Sequence, residues 1–516
     1  MMKGPTYVQF KHSGIVLDLP AEEVSPDNWT SGSNIQFQDN ATRRVGGYAQ
    51  FAGTLSGATG PLFAMSVDSG AITYWIYCTS ANVYVTDGTT HFDITPTVPQ
   101  TGVLPGRWSG CILNGIPVIN SGYGPPLFWD LNTANKCSTL TGWPTGATCK
   151  TIRAFKYHLF ALNVTSSSVN YQATLWWSKS ALPGTIPAEW TPSATNDAGD
   201  LDLGDTPGAI VDGLAMRDNF MVYKEFATYA LSYVAGQFIY TSRKIFLTSG
   251  VVALNCITEV DGAHFVFTGT DIIRTDGQNF TSLVDLKVKN YLTNSIDPAQ
   301  IDQCCIVYRQ RNNQIWVCVP IQGGSGLTRA FVINTLNGSI GIRNLPGVSH
   351  VSRGVVIVGA TTTSWDSDSQ AWFRDITYWN QQAYDPSDDG VLMCDTAAKK
   401  LWAVDVSDTD NGALVSAFIE RASLPIGDHV LHALVTRVVP RLEGTSGDVI
   451  YIRTGGQAFF DQPISWSSPV PFVIGTDVAV NVLTEGRLIS VNFSADTSRQ
   501  WKIHSYRLGY VDLGLY

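Results

Sequence analysis

The residues able to do chemistry are scattered. Eight histidines stand at 12, 91, 158, 264, 350, 429, 432 and 504, and only His429 and His432 are close together, with no third ligand nearby in sequence. A zinc site needs three or four such groups at fixed spacing, so these read as packed or surface histidines. Nine cysteines, at 78, 111, 137, 149, 256, 304, 305, 318 and 394, form no C-x-x-C pair, and an odd number cannot all pair within one chain. They are expected to be reduced. Cys304 and Cys305 are adjacent, and neighbours on a strand point to opposite faces, so a shared ligand is not expected of them.

Two acidic stretches could supply oxygen ligands beside a glycine turn: Asp385 to Gly390, and Asp405-Val-Ser-Asp-Thr-Asp-Asn-Gly412. Neither has the alternate spacing and closing bidentate Glu of a calcium loop, so both read as solvated turns and no metal or other cofactor is expected. Ser494-Ala-Asp496-Thr-Ser-Arg-Gln-Trp501 resembles the Asp-box turn of sialidase-type propellers, with Ser498 where that turn has Gly. Walker A, dinucleotide-binding, zincin and nucleophile-elbow motifs are all missing. No catalytic residue stands out, and the chain is read as a non-enzyme. Trp176-Trp177, Trp190 and Trp372 could stack on sugars or on another protein.

The elements that would position these groups are strands. Of 516 residues only 15% are charged, 11% are aromatic, and 47 glycines and 24 prolines punctuate the chain, a balance of short strands and tight turns. Apolar runs such as Ile72-Thr-Tyr-Trp-Ile-Tyr77 and His158-Leu-Phe-Ala-Leu162 are broken by Asp87-Gly88, Asn114-Gly115, Asp261-Gly262, Asp276-Gly277 and Asn337-Gly338. Such dipeptides close hairpins. A longer phrase of strand, tight turn, strand and short strand recurs, most clearly over Ala209 to Tyr233 and again over Gly250 to Gly277. A period of this kind, about 40 to 50 residues with about four strands, is the mark of a β-propeller. A pair of stacked β-sandwiches is the alternative.

The expected fold is therefore all-β. An extended N-terminal arm and first strand cover residues 1–55, a propeller covers 56–404 with a short helical insertion near 282–302, and a β-sandwich-like domain covers 405–516. Polarity rises through Trp365-Asp-Ser-Asp-Ser before strands return at Ala413. The formal net charge of −10 argues against a protein that grips the phosphate backbone, which takes clustered Lys and Arg. A polyanion could still slide past such a wall. No apolar h-region follows Met1, and no run of 18 apolar residues exists, so neither a signal peptide nor a membrane span is expected.

Leu19-Pro-Ala-Glu-Glu-Val-Ser-Pro-Asp-Asn-Trp29, followed by Asn34-Ile-Gln-Phe-Gln-Asp-Asn-Ala-Thr-Arg-Arg-Val-Gly-Gly-Tyr48, is similar to the start of the tail nozzle and packaged-DNA stabilisation proteins of short-tailed bacteriophages. Gly208 to Gly277 resembles that family further, through Arg217-Asp218, Gly250-Val-Val and Glu259-Val-Asp-Gly before Phe265-Val-Phe, and so does Trp501-Lys-Ile to Tyr510. The resemblance implies a virion tail protein, folded in the host cytoplasm, that forms a six-fold ring below portal and adaptor. It would hold packaged DNA, meet a tail fibre or needle, and open for ejection, with DNA passing its lumen without sequence-specific contact. A propeller-type glycan- or receptor-binding tail protein is the alternative, and a glycosidase, which needs two converging carboxylates, a more distant one.

Overall fold

The computed structural model describes residues 6–10, 13–55, 57, 59–70, 72–234, 239–356, 389–426 and 432–514. Asn114 (φ 54°) and Gly115 (φ 86°), and likewise Asp261 (φ 51°) and Gly262 (φ 73°), are left-handed at both positions, so each closes a two-residue hairpin whose twist matches its strands. At Asp87-Gly88 and Asp276-Gly277 only the glycine is left-handed. There the aspartate side chain does the work: Asp87 accepts from the Thr89 and Thr90 amides, and Asp276 from those of Gln278 and Asn279.

These hairpins assemble into four-stranded antiparallel units whose first strands are Phe63–Asp68, Ser109–Leu113, Thr148–Phe155, Ile210–Met216, Ile257–Val260, Cys305–Arg309 and His350–Val355. Each of these strands packs beside the next, and His350–Val355 returns to pack beside Phe63–Asp68, so the units close a ring of seven blades. Large side chains fill the gaps between blades. Phe63, Ile76, Trp108 and Trp129 pack between the first and second, and Phe155, Phe160, Phe220 and Tyr240 between the third and fourth. Between the fifth and sixth blades lie an α-helix, Lys289–Ser295, and a 3₁₀-helix, Pro298–Gln303. Pro298 opens that second helix, capped by Asp297, which accepts from the Ala299 amide.

The seventh blade is completed from a distance. Its outer strand is Gly47–Phe51, which pairs antiparallel with Lys400–Ser407, so the two ends of the ring are joined by hydrogen bonds between segments far apart in sequence. Gly47 cannot be replaced without displacement, because a Cβ there would lie 2.1 Å from the Thr409 carbonyl oxygen.

The rest of the N-terminal segment is extended and woven into the sandwich. One sandwich sheet runs Ser31–Ser33, Val415–Pro425, Leu488–Thr497, Val449–Gln457, with Ser465–Trp466 and Val470–Val473 beside the last. The other runs Ile35–Gln38, Ala41–Arg44, Lys502–Gly514, His432–Glu443, Val480–Gly486, and Thr6–Phe10 also pairs with Lys502–Gly514. Ile419, Ile452, Val491 and Phe493 from the first sheet meet Val435, Ile503, Tyr506 and Leu508 from the second in one dry core. Trp29 is sealed into this core against Phe493 and Tyr506, with ring centroids 6.1 and 5.6 Å away. Ile342, on the outer strand of the sixth blade, pairs with Ile35, so that blade and the second sandwich sheet are one continuous sheet.

Gly47→Ala should therefore push apart the strand that closes the ring, at a cost of about 1–3 kcal/mol typical of over-packing. Thermal unfolding checks this: the melting temperature should fall well below that of Gly53→Ala, where nothing lies within 4 Å of an added Cβ although its φ of 69° carries its own strain.

Candidate functional site

Two polar constructions stand out from the apolar packing. The first lies where propeller and sandwich meet. Lys400–Ser407 carries a bulge between Val404 and Ser407, and Asp405 within it is left-handed (φ 59°), which turns its carboxylate inward. There it meets Arg309 of the sixth blade and Arg343, whose Nη1 donates to Asp405 Oδ1 at 2.8 Å. Both arginines are buried, and the Asp405 side chain is only 9% exposed. Arg343 Nη2 also donates to the Gly46 carbonyl at 2.7 Å, and its guanidinium lies 4.8 Å from the Trp316 ring. Arg44, fully buried, donates to the carbonyls of Asp408 and Thr497. Burial alone would raise the Asp405 pKa, but the fields of Arg343 and Arg309 and their hydrogen bonds outweigh it and hold the carboxyl at about 2.

Four segments meet in this cluster: the Arg43-Arg44-Val45-Gly46-Gly47 corner, the sixth blade, the seventh blade and the turn between Leu488–Thr497 and Lys502–Gly514. Nearby, Asn34 Nδ2 donates to the Ser416 carbonyl and its Oδ1 accepts from the Asn344 amide. The N-terminal segment is thus the common partner of both bodies.

The second construction crosses the propeller axis. Arg153 of the third blade forms a bidentate pair with Asp212 of the fourth, Nε to Oδ1 and Nη2 to Oδ2 both at 2.8 Å, and reaches the Gly110 carbonyl of the second and Asn255 Oδ1 before the fifth. Asn255 Nδ2 in turn donates to the Trp108 carbonyl at 3.2 Å, and Arg107 pairs with Asp302 at 2.8 Å. The second blade is therefore bonded to the segments leading into the fifth and sixth, on the opposite side of the ring.

His264, buried in the fifth blade, must donate from Nε2 to the Ala215 carbonyl (2.8 Å), which leaves Nδ1 of the neutral ring to accept from the Tyr223 hydroxyl (2.9 Å). Desolvation holds its pKa down to about 4. A neutral imidazole is thus a strut between the fourth and fifth blades.

Cys305 lies opposite Cys318 and against His350 where the sixth and seventh blades meet, and most of the other groups weighed from sequence go to separate places. His91 bonds Tyr77, His158 Nδ1 donates to the Ser178 carbonyl, His350 stacks on Phe63, and His432 and His504 face Glu485 and Glu443. His12, His429, Trp365, Trp372 and Asp385 to Asp388 lie outside the described residues. None of the nine cysteines is disulfide-bonded, and Cys304 and Cys305 enter different core clusters. Asp405 is not a solvated turn residue, as its spacing suggested, but a buried ion-pair centre. The Asp-box-like stretch from Ser494 to Trp501 joins two sandwich strands and belongs to no blade. Trp177 faces inward among Phe160 and Tyr240, while Trp176, its strand neighbour, lines a cavity of about 380 Å³ on the third blade with Trp190, Pro192 and Asp200. Among the described residues no group of three or more His, Cys, Asp or Glu is placed to hold a metal ion, and no helix is long and apolar enough to cross a membrane.

Seven four-stranded antiparallel blades around one axis define the chain as a β-propeller protein with an appended sandwich. No protein-family model matches the sequence, and no curated protein does. Solved structures similar to it include YCF48 bound to D1 peptide (11% identity, TM-score 0.35, 67% of this chain and 95% of that one). The WD40 β-propeller domain of Doa1 is another (11% identity, TM-score 0.39, 70% and 96%). The extracellular domain of the putative hybrid two-component system BT4673 from B. thetaiotaomicron is a third (8% identity, TM-score 0.41, 89% and 62%).

Removing the charge at the junction should be costly, because two buried guanidiniums lose their counter-ion. Asp405→Asn is expected to destabilise the protein by about 3–5 kcal/mol in denaturant titration. Acid should act in two steps. His264 binds a proton in the unfolded chain at its ordinary 6.5 but in the fold only at about 4, so stability present above pH 6.5 is lost as pH falls toward 4. Asp405, ordinarily 3.8 and here about 2, contributes stability that is lost only as pH falls from about 4 through 2. In His264→Asn the dependence of unfolding free energy on pH between 6.5 and 4 should flatten, whatever the variant's baseline.

Proposed function

We propose that this chain is the subunit of a tail nozzle of a short-tailed bacteriophage: a structural virion protein that assembles as a hexameric ring below portal and adaptor, retains packaged DNA and opens for ejection. The observation that carries this reading is the bridged propeller axis together with the union of propeller and sandwich through residues 31–51. A propeller that is crossed by its own side chains offers no passage to a duplex. The lumen of such a nozzle would lie between copies, and each copy would act as a stiff stave.

The physical properties suit that role. Blades packed through aromatic side chains resist deformation, and the continuous sheet from the sixth blade into the sandwich gives load a path through backbone hydrogen bonds. Acidic residues outnumber basic ones, 43 to 33, which favours sliding of a polyanion over salt-dependent adhesion. The buried charges are consumed in pairing one element to another, in keeping with a role in assembly and not in turnover.

Purified protein, examined by sedimentation and electron microscopy alone and with an adaptor protein of the same phage, tests the proposal. Six-fold rings with a central opening wide enough for duplex DNA, seated on the adaptor, are expected. A monomer that ignores the adaptor, or a location at the tip of a peripheral fibre, would refute it.

A further inference from the structure

The outward face of the sandwich sheet that contains Val415–Pro425, Leu488–Thr497 and Val449–Gln457 is built differently from the surfaces around it. The inward residues of these strands, Ala417, Ile419, Ile450, Ile452, Val491 and Phe493, are core. The outward ones fall into two cross-strand rows set by the register. In one row Ser494 stands between Phe418 and Tyr451; in the next Asn492 stands between Glu420 and Arg453. The two aromatic rings are thus two strand spacings apart, about 9.6 Å at their backbones, with only a serine side chain between them. The result is a groove of about 490 Å³, closed toward one end by Ser416 and Asp496.

The polar row is held in place before any ligand arrives. Asn492, 2% exposed, donates from Nδ2 to Glu420 Oε2 at 2.9 Å. Arg453 Nη2 lies 3.6 Å from the same carboxylate oxygen, and its guanidinium rests 4.3 Å from the Trp466 ring. Glu420 and Arg453 therefore neutralise each other in the groove floor, and neither is left to attract a phosphate or a polycation. What remains on offer is two aromatic faces, one of them, Tyr451, 46% exposed, beside a planar array of amide, carboxylate and guanidinium groups.

We propose that this groove binds a neutral oligosaccharide, with a pyranose ring between Phe418 and Tyr451 and its hydroxyls on Asn492, Glu420 and Arg453. A sugar ring offers apolar C–H faces to the rings and a rim of hydroxyls that both donate and accept, which is the complement of a floor in which Glu420 and Arg453 offset each other and Asp496 adds a carboxylate acceptor at one end. This inference does not rest on the nozzle reading, since a sugar site on the sandwich is compatible with any assembly state.

The test is titration of the full chain with a panel of neutral trisaccharides of glucose, mannose, galactose and N-acetylglucosamine, followed by calorimetry and by the Arg453 Nε–H resonance. At least one should bind saturably and shift that resonance. Tyr451→Ala, which removes an exposed ring, should weaken binding about tenfold or more, and Ser494→Leu, which fills the floor between the rings, should abolish it. Circular dichroism and melting temperature of both variants establish that they are folded. No binding by any member of the panel, binding unchanged in both variants, or a loss of self-association in Ser494→Leu without any sugar response would overturn the proposal. The last result would assign the face to a second copy of the chain.

Discussion

A carboxylate drawn largely out of water must be answered by cations or give up its charge, and Asp405 is answered twice, by Arg309 and Arg343. Those two arginines belong to the sixth blade, Asp405 to the seventh, and Gly46, which accepts from Arg343, to the segment that closes the ring. The features that close the ring are arranged around this requirement. The bulge that turns Asp405 inward, the glycines that let the chain pass Thr409 and Asp405, and the outer strand Gly47–Phe51 that follows them are consecutive parts of one construction. Remove the charge pairing and the N-terminal segment loses the anchor from which it reaches both bodies.

Much of the local architecture is legible from residue order, since it depends on neighbours. The dipeptides Asn114-Gly115 and Asp261-Gly262 sit at hairpin tips because only such residues take left-handed backbone cheaply, and the recurrent phrase over Ala209 to Gly277 becomes two consecutive blades. What sequence could not reveal is whatever depends on distant partners. Asp405 lies in an acidic, glycine-containing stretch that looks like a solvated turn; its guanidiniums arrive from positions 96 and 62 residues away. The seventh blade is hidden for the same reason, its outer strand coming from residues 47–51. The aromatic groove of the sandwich is concealed too, because Phe418, Tyr451 and Ser494 acquire their relation only through register. A clue existed in the alternation of Ser416, Phe418 and Glu420 with Ala417 and Ile419, which marks a strand with one wet face.

The molecule spends its ionic and hydrogen-bonding groups on joining elements. Arg153, Asp212 and Asn255 tie four blades across the axis, His264 braces two of the same four, and Arg44 fixes the corner of the N-terminal segment. Under the nozzle proposal the outside forms a ring around DNA; under the oligosaccharide proposal one sheet face adds recognition. Both ask of the subunit what its interior provides, a shape that holds under load.

The central claim is that propeller and sandwich are one cooperative body because the N-terminal segment is shared between them. Native-state hydrogen exchange tests this most directly, by comparing opening free energies of amides in three places: Trp316 and Phe331 in the sixth blade, Ala49 and Phe51 in the ring-closing strand, and Ile419 and Phe493 in the sandwich. All three are expected to exchange through the same global opening, and Asp405→Asn is expected to lower them together. Sandwich amides that open independently of blade amides, and that keep their protection in Asp405→Asn, would contradict it.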